Sequence, residues 1–161
     1  MAAFNRRPAA PGPVDAPVLR RAALDLLARR EHSRSELQQK LRQRFGTSPL
    51  IDEELDRLES ESLLDDARFA EAFVRMHRNR GHGPLRILHE LAPRGVATDL
   101  AEACVEPRSP EWIALARQWR ERRFGESPPD SAAERQRQAR HLQSRGFSME
   151  QVNRAFRPPA D

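Results

Sequence analysis

One cysteine, one lysine and no tyrosine occur in 161 residues. The lone Cys104 excludes an internal disulfide, and no Cys/His cluster has zinc-ligand spacing. Aromatics make up only 6% of the chain, and most sit at core spacing, which leaves few exposed rings on which a single strand would stack. No apolar run approaches a membrane span, and the first residues are too polar and proline-rich for a signal peptide. A cytoplasmic protein without membrane attachment is expected. With 38% hydrophobic and 32% charged residues, apolar surface is too scarce for a large spherical core. Thin helices that each bury one stripe fit better.

What is abundant is arginine. The chain holds 28 basic side chains, and only Lys40 is not an arginine. Guanidinium favours bidentate carboxylate and phosphate contacts and stays charged when half-buried. A GC-rich genome gives the same replacement of lysine, so arginine content alone assigns no partner.

Residues 1–16 lack periodicity and read as a mobile tail. Pro17 suits a first helical turn, followed by the apolar face Leu19, Ala23, Leu26 and Leu27. Ser33-Arg34-Ser35-Glu36 is a capping box before Leu37, Leu41 and Phe45, with Gly46 as the stop. Ser48-Pro49 starts a third helix carrying Leu50, Ile51, Leu55 and Leu58 beside six acidic residues. The pattern then recurs. Asp65 and Asp66 open a helix with the stripe Phe69, Ala70, Phe73, Val74 and His77, ended by Gly81. Gly83-Pro84 starts the next helix, with Leu85, Leu88 and Leu91 as its stripe, Ile87 on the flank, Pro93 loosening its end and Gly95 closing it. A helix from about Thr98 to Val105 completes the round. In the third round, Ser109-Pro110 precedes Ile113, Ala116, Trp119 and Arg120, and capping boxes at Ser131–Glu134 and Ser148–Gln151 follow. Three rounds with a period of about fifty residues are an internal repeat. The expected fold is all-α: three tandem three-helix repeats over 17–63, 64–106 and 107–157 in an elongated, curved array, with a short tail over 158–161.

A catalytic centre is not expected. Capping accounts for Asp65 and Asp66 without a metal. His77, His82 and His89 are spaced by five and seven residues, which places no two as ligands one turn apart, so packing or surface roles are expected. The loop Arg80-Gly81-His82-Gly83-Pro84 has two glycines but no following Walker lysine. No catalytic residue, metal or cofactor is therefore assigned. Charge geography says more. From Gly46 to Val74 nine carboxylates accompany two arginines, and from Arg75 to Gly95 five arginines accompany only Glu90. From Pro107 onward there are eleven arginines and seven carboxylates.

Two blocks resemble the RecX family of bacterial regulators. One is Leu63-Leu64-Asp65-Asp66-Ala67-Arg68-Phe69-Ala70. The other is Gly81-x-Gly83-Pro84-x-Arg86-Ile87-x-x-Glu90-Leu91-x-x-x-Gly95-Val96. An earlier stretch, Ala23–Ser33 followed by Glu36-Leu37-x-x-Lys40-Leu41, is also similar, so the likeness spans roughly residues 18–156. Leu64, Asp65, Asp66, Arg68, Phe69, Ala70, Gly83, Pro84, Ile87, Leu91 and Gly95 are the family-motif positions, with structural roles expected. His82 stands where the family often has an aromatic.

The resemblance implies three tandem three-helix repeats and a non-enzymatic regulator. Such a protein binds the RecA recombinase filament and modulates, mainly inhibits, its ATPase and strand exchange. It further implies a role in recombination, repair and the SOS response, with single- or double-stranded DNA as a second partner. A monomer is expected. The contact residues expected from charge clustering are Arg75, Arg78, Arg86 and Arg94, then Arg117, Arg120, Arg137 and Arg140. The alternative is a stand-alone helical DNA-binding protein.

Overall fold

The computed structural model describes residues 14–157; the two expected tails lie almost wholly outside that range. Among the described residues there are nine α-helices and no strand. The chain divides into two compact units, one up to Asp65 and one from Asp66.

The first unit holds α1 (Ala16–Leu27), α2 (Arg34–Phe45) and α3 (Pro49–Ser60). Their ends are set by local chemistry. Pro17 lies in the first turn of α1, where its missing amide costs no hydrogen bond. The Ser33 and Ser48 hydroxyls accept from the amides of Glu36 and Leu50 at 3.1 and 3.3 Å. Gly46 ends α2 at φ 76°. After α3, Ser62 takes the left-handed conformation, and the amides of Leu63 and Leu64 both reach the Leu58 carbonyl. That turn buries Leu64 while Leu63 stays exposed. Leu19, Ala22, Ala23, Leu37, Leu41, Ile51, Leu55, Leu58 and Leu64 make the core.

The acidic face of α3 is answered inside the same unit. Arg20 of α1 bridges Glu54 and Glu61 at 2.7 and 2.5 Å. Arg34 of α2 bridges Asp56 and Glu59 at 2.7 and 2.5 Å. The hydrogen bonds that Arg20 donates to Glu61 and Glu54 raise its pKa above its ordinary value. Much of the negative stretch seen in the sequence is thus paired across the helix bundle.

The second unit holds α4 (Asp66–Asn79), α5 (Pro84–Leu91), α6 (Thr98–Val105), α7 (Glu111–Phe124), α8 (Ala132–Ser144) and α9 (Met149–Ala155). A 3-10 turn over Ala92–Arg94 follows α5, where Pro93 cannot continue the helix, and Gly95 closes it at φ 75°. The expected stripe of α5 is corrected. Ile87 and Leu91 are buried, Leu88 is half-buried, and Leu85 is 51% exposed. On α7 the large buried side chain is Trp112, while Ile113 and Trp119 are half-buried. The capping box of Ser148 and Gln151 closes in both directions. At Ser131 the hydroxyl caps Glu134, but the Glu134 carboxylate turns to Arg137 and Gln138 instead.

The second and third helix triplets share one core. Phe69, Ala70, Phe73, Val74, Ile87 and Leu91 pack in the same cluster as Trp112, Ala116, Leu142, Phe147 and Val152. Trp112 joins the two: its indole N–H donates to the Val105 and Glu106 carbonyls at 3.2 and 3.0 Å. It thereby satisfies the C-terminus of α6, where Glu106 is left-handed.

A shared core makes one cooperative block. Leu142→Ala is expected to cost about 2–5 kcal/mol. Native-state hydrogen exchange should show that loss in α4–α6 as well as α7–α9. Loss confined to α7–α9 would contradict the shared core.

Candidate functional site

The motif loop Arg80–Pro84 is built by close backbone approach. The amide of Gly83 donates to the Arg145 carbonyl at 2.7 Å, and that of Leu85 to the Gly146 carbonyl at 3.0 Å. The first amides of α5, which have no partner inside the helix, are met by the α8–α9 turn. A Cβ on Gly83 would come within 2.4 Å of the Gly146 backbone. One on Gly146 would come within 2.3 Å of Arg86 Cβ, and one on Gly81 would enter the Trp119 ring. Arg145 completes the joint by donating to the Gly81 carbonyl at 2.8 Å and to that of Arg80. Its guanidinium lies 4.7 Å from the Trp119 ring centroid. Sequence reasoning missed Arg145, whose partners lie 64 and 65 positions away.

The eight arginines expected at a contact surface fall into distinct environments. Arg75 on α4 and Arg140 on α8 are exposed and make no ion pair among the described residues. Arg75 borders a shallow groove with Glu71, Val74, Arg78, Asn79 and Cys104. Arg86 and Arg137 are also exposed but pair within their own helices, with Glu90 at 2.8 Å and Glu134 at 2.8 Å. The hydrogen bonds from Arg137 and Gln138 pull the Glu134 carboxyl down to about 2.

The remaining four are engaged in holding the fold. Arg78 bridges Glu111 at 2.6 Å and lies over the Trp112 ring, joining α4 to α7. Arg94 lies 4.7 Å from the Phe73 centroid and donates to the Glu90 carbonyl. Arg117 donates to the Arg154 and Arg157 carbonyls at the end of α9. Arg120 is only 5% exposed and donates to the Glu126 and Ser127 carbonyls, with Phe156 beneath it. Arg120 is therefore corrected from a surface residue to a buried one. It lies on the inward stripe of α7 with Trp112 and Ala116, where loop carbonyls accept from its two terminal nitrogens and Nε is buried without a hydrogen-bond partner among the described residues.

The histidines take packing and surface roles as expected, but the inference from spacing that no two come together is corrected. His77 and His82 are five residues apart but meet across the turn, with Nδ1 to Nδ1 at 2.8 Å. Spacing along one helix was the wrong measure, because the helix ends at Asn79 and the chain folds back. Phe73 stacks on His77 at 4.0 Å, and Glu90 Oε2 lies 3.6 Å from its Nε2. His89 stays exposed. Burial pushes both His77 and His82 below the ordinary histidine value. For His77, Glu90 opposes that shift and Arg80, Arg94 and Arg86 add to it. For His82, Arg86, His77 and Arg145 add to it, and Glu90 opposes it. The Arg86 hydrogen bond, against the effect of burial, lowers the Glu90 carboxyl.

Comparison with known proteins places this architecture. Family models described as the first, second and third three-helix domains of RecX match residues 20–58, 65–105 and 110–156. A protein of Halorhodospira halophila named "Regulatory protein RecX" is 49% identical over 137 residues, covering 85% of each chain. One of the same name from Pseudomonas entomophila is 44% identical over 142 residues, covering 88% of this chain and 92% of its own. The crystal structure of RecX from Lactobacillus salivarius superposes with a TM-score of 0.77 at 23% identity, covering 87% of this chain and 93% of that one. That likeness supports the fold alone.

Two predictions follow from the joint and its titratable groups. Gly83 has an ordinary φ of −82°, so Gly83→Ala meets only the steric clash with Gly146. It should cost about 1–3 kcal/mol in urea unfolding. An unchanged urea midpoint would contradict the close approach.

His32, His77, His82 and His141 are all held below the ordinary value of 6.5, with burial the first cause in each. The unfolded chain therefore binds more protons as pH falls below about 6.5. Their contribution is present above that value and is lost as pH falls through the folded pKa values. The urea midpoint should drop between pH 7.5 and 5.5, and a flat or rising midpoint would contradict the assignment.

Proposed function

The chain belongs to the RecX family, and from that premise we propose that it binds the RecA recombinase filament on DNA. There it modulates, mainly inhibits, the recombinase's ATPase and strand exchange, and so recombination, repair and SOS activity. The carrying observation is the exposure of Arg75 and Arg140 without an ion pair among the described residues. An exposed guanidinium so placed is available to a carboxylate or phosphate on another molecule. Arg86 and Arg137 join them, since exposed pairs within one helix are worth only about 0–1 kcal/mol and exchange readily. Arg78, Arg94, Arg117 and Arg120 act through the fold that presents the others. A filament repeats its surface, so a chain of two compact units engages it at more than one point. Bridging successive protomers hinders the rearrangement that nucleotide turnover requires.

Stand-alone DNA binding is supported by a separate observation. Guanidiniums flank the rings of the third triplet: Arg122 and Arg145 at Trp119, and Arg123 and Arg137 at Phe124. That reading predicts tight affinity for bare DNA, falling steeply with salt.

The test is the DNA-dependent ATPase of RecA. The protein at stoichiometric excess should suppress it; no change overturns the proposal. An Arg75→Ala/Arg140→Ala variant should need about tenfold more protein for the same suppression, equivalent to about 1.4 kcal/mol. Its unfolding midpoint should shift by no more than about 0.5 kcal/mol. Arg120→Ala should instead lose about 1–3 kcal/mol of stability, because it removes a buried side chain packed on Phe156 together with its hydrogen bonds to the loop carbonyls.

A further inference from the structure

We propose that His77, His82 and Glu90 form a binding site for a borderline transition-metal ion, Zn2+ by preference, at the junction of α4 and α5. Donor atoms of the three side chains lie within 4.8 Å of one another. Tetrahedral coordination by nitrogen and oxygen at about 2.0–2.2 Å spaces its ligands somewhat over 3 Å apart. The two Nδ1 atoms at 2.8 Å need to open slightly, and the Glu90 carboxylate, whose Oε2 lies 3.6 Å from Nε2 of His77, needs to swing to the Nδ1 side of that ring.

Each donor is held in place by something other than a metal. His77 is 4% exposed on the last turns of α4, with its ring stacked on Phe73. His82 is fixed through its backbone, whose amide donates to the His77 carbonyl at 3.0 Å, and by the docking of the adjacent Gly83. Glu90 uses Oε1 to accept from Arg86 at 2.8 Å and turns Oε2 towards His77. Such anchoring reduces the ordering that binding requires. His82 and Glu90 are half-buried rather than enclosed, so an ion and a completing water reach the site from solvent.

The donor set selects the class of ion. Two imidazoles and one carboxylate suit Zn2+ and its neighbours, whereas Ca2+ and Mg2+ require mainly oxygen. Arg80, Arg86, Arg94 and Arg145 all act electrostatically on these histidines, and their charge further disfavours a cation held by electrostatics alone. Proton balance is simple. A short contact between two neutral imidazoles needs one Nδ1–H. Metal binding requires that ring to carry its proton on Nε2 instead, with no net release. Ligation fixes the end of α4 to α5, the two helices that carry Arg75 and Arg86.

Co2+ titration of the full, tag-free chain, followed by visible absorption, tests the site. One equivalent should give the intense bands of four-coordinate Co2+, abolished by one equivalent of Zn2+. Zn2+ should also raise the thermal midpoint. His82→Phe and His82→Ala should each weaken affinity by about 100-fold or more, and Glu90→Gln by about 10- to 100-fold. His89→Phe, on an exposed neighbour, should leave affinity unchanged. Absence of a 1:1 complex overturns the site. So does unchanged affinity in both His82 variants, provided circular dichroism shows them helical. Neither outcome bears on RecA binding, which is measured separately.

Discussion

The second unit depends on one close approach of backbone to backbone, Gly83 against the Arg145–Gly146 turn. No side chain fits between them. Two amides at the start of α5 find acceptors on the α8–α9 turn, so α5 begins where that turn permits. Its rotation then buries Ile87 and Leu91 and turns Leu85 to solvent. Arg145 reaches back to the Arg80 and Gly81 carbonyls, and Trp119 lies against Gly81 with no room for a Cβ. At the other side of the same core, Trp112 closes the end of α6. These contacts turn two apolar-poor triplets into one block with a common core.

Arginine does three different jobs in this fold. Arg117 and Arg120 donate to loop and helix-end carbonyls. Arg78 and Arg94 cover aromatic rings while reaching an acceptor beyond them. Arg75 and Arg140 stand in solvent without an ion pair among the described residues. Net charge and clustering along the sequence do not separate these uses, because each depends on what lies opposite the guanidinium.

Local features were legible from residue order. Ser33, Ser48, Ser131 and Ser148 cap helices as their positions indicated. Pro17, Pro49 and Pro84 open helices, and the apolar stripes of α2 and α4 are buried largely as read. The family likeness drawn from the two motif blocks agrees with the matches to all three RecX helix triplets. What escaped sequence reading was long-range. Arg145 and its carbonyl partners, Trp112 and its seat on α6, and the pairing of His77 with His82 depend on how the chain turns back. Helical periodicity carries no information about that. The α5 stripe was misplaced for the same reason, since the docked loop sets the helix's rotation and a Leu-rich face does not.

The central claim is that this chain recognises a protein–DNA filament rather than DNA alone. The most direct measurement is a side-by-side titration of the protein against bare single-stranded DNA and the same DNA coated with RecA, at one physiological salt concentration. The account predicts saturable binding to the coated DNA at concentrations where bare DNA shows little. Equal or tighter binding to bare DNA, with no gain from RecA, would contradict it.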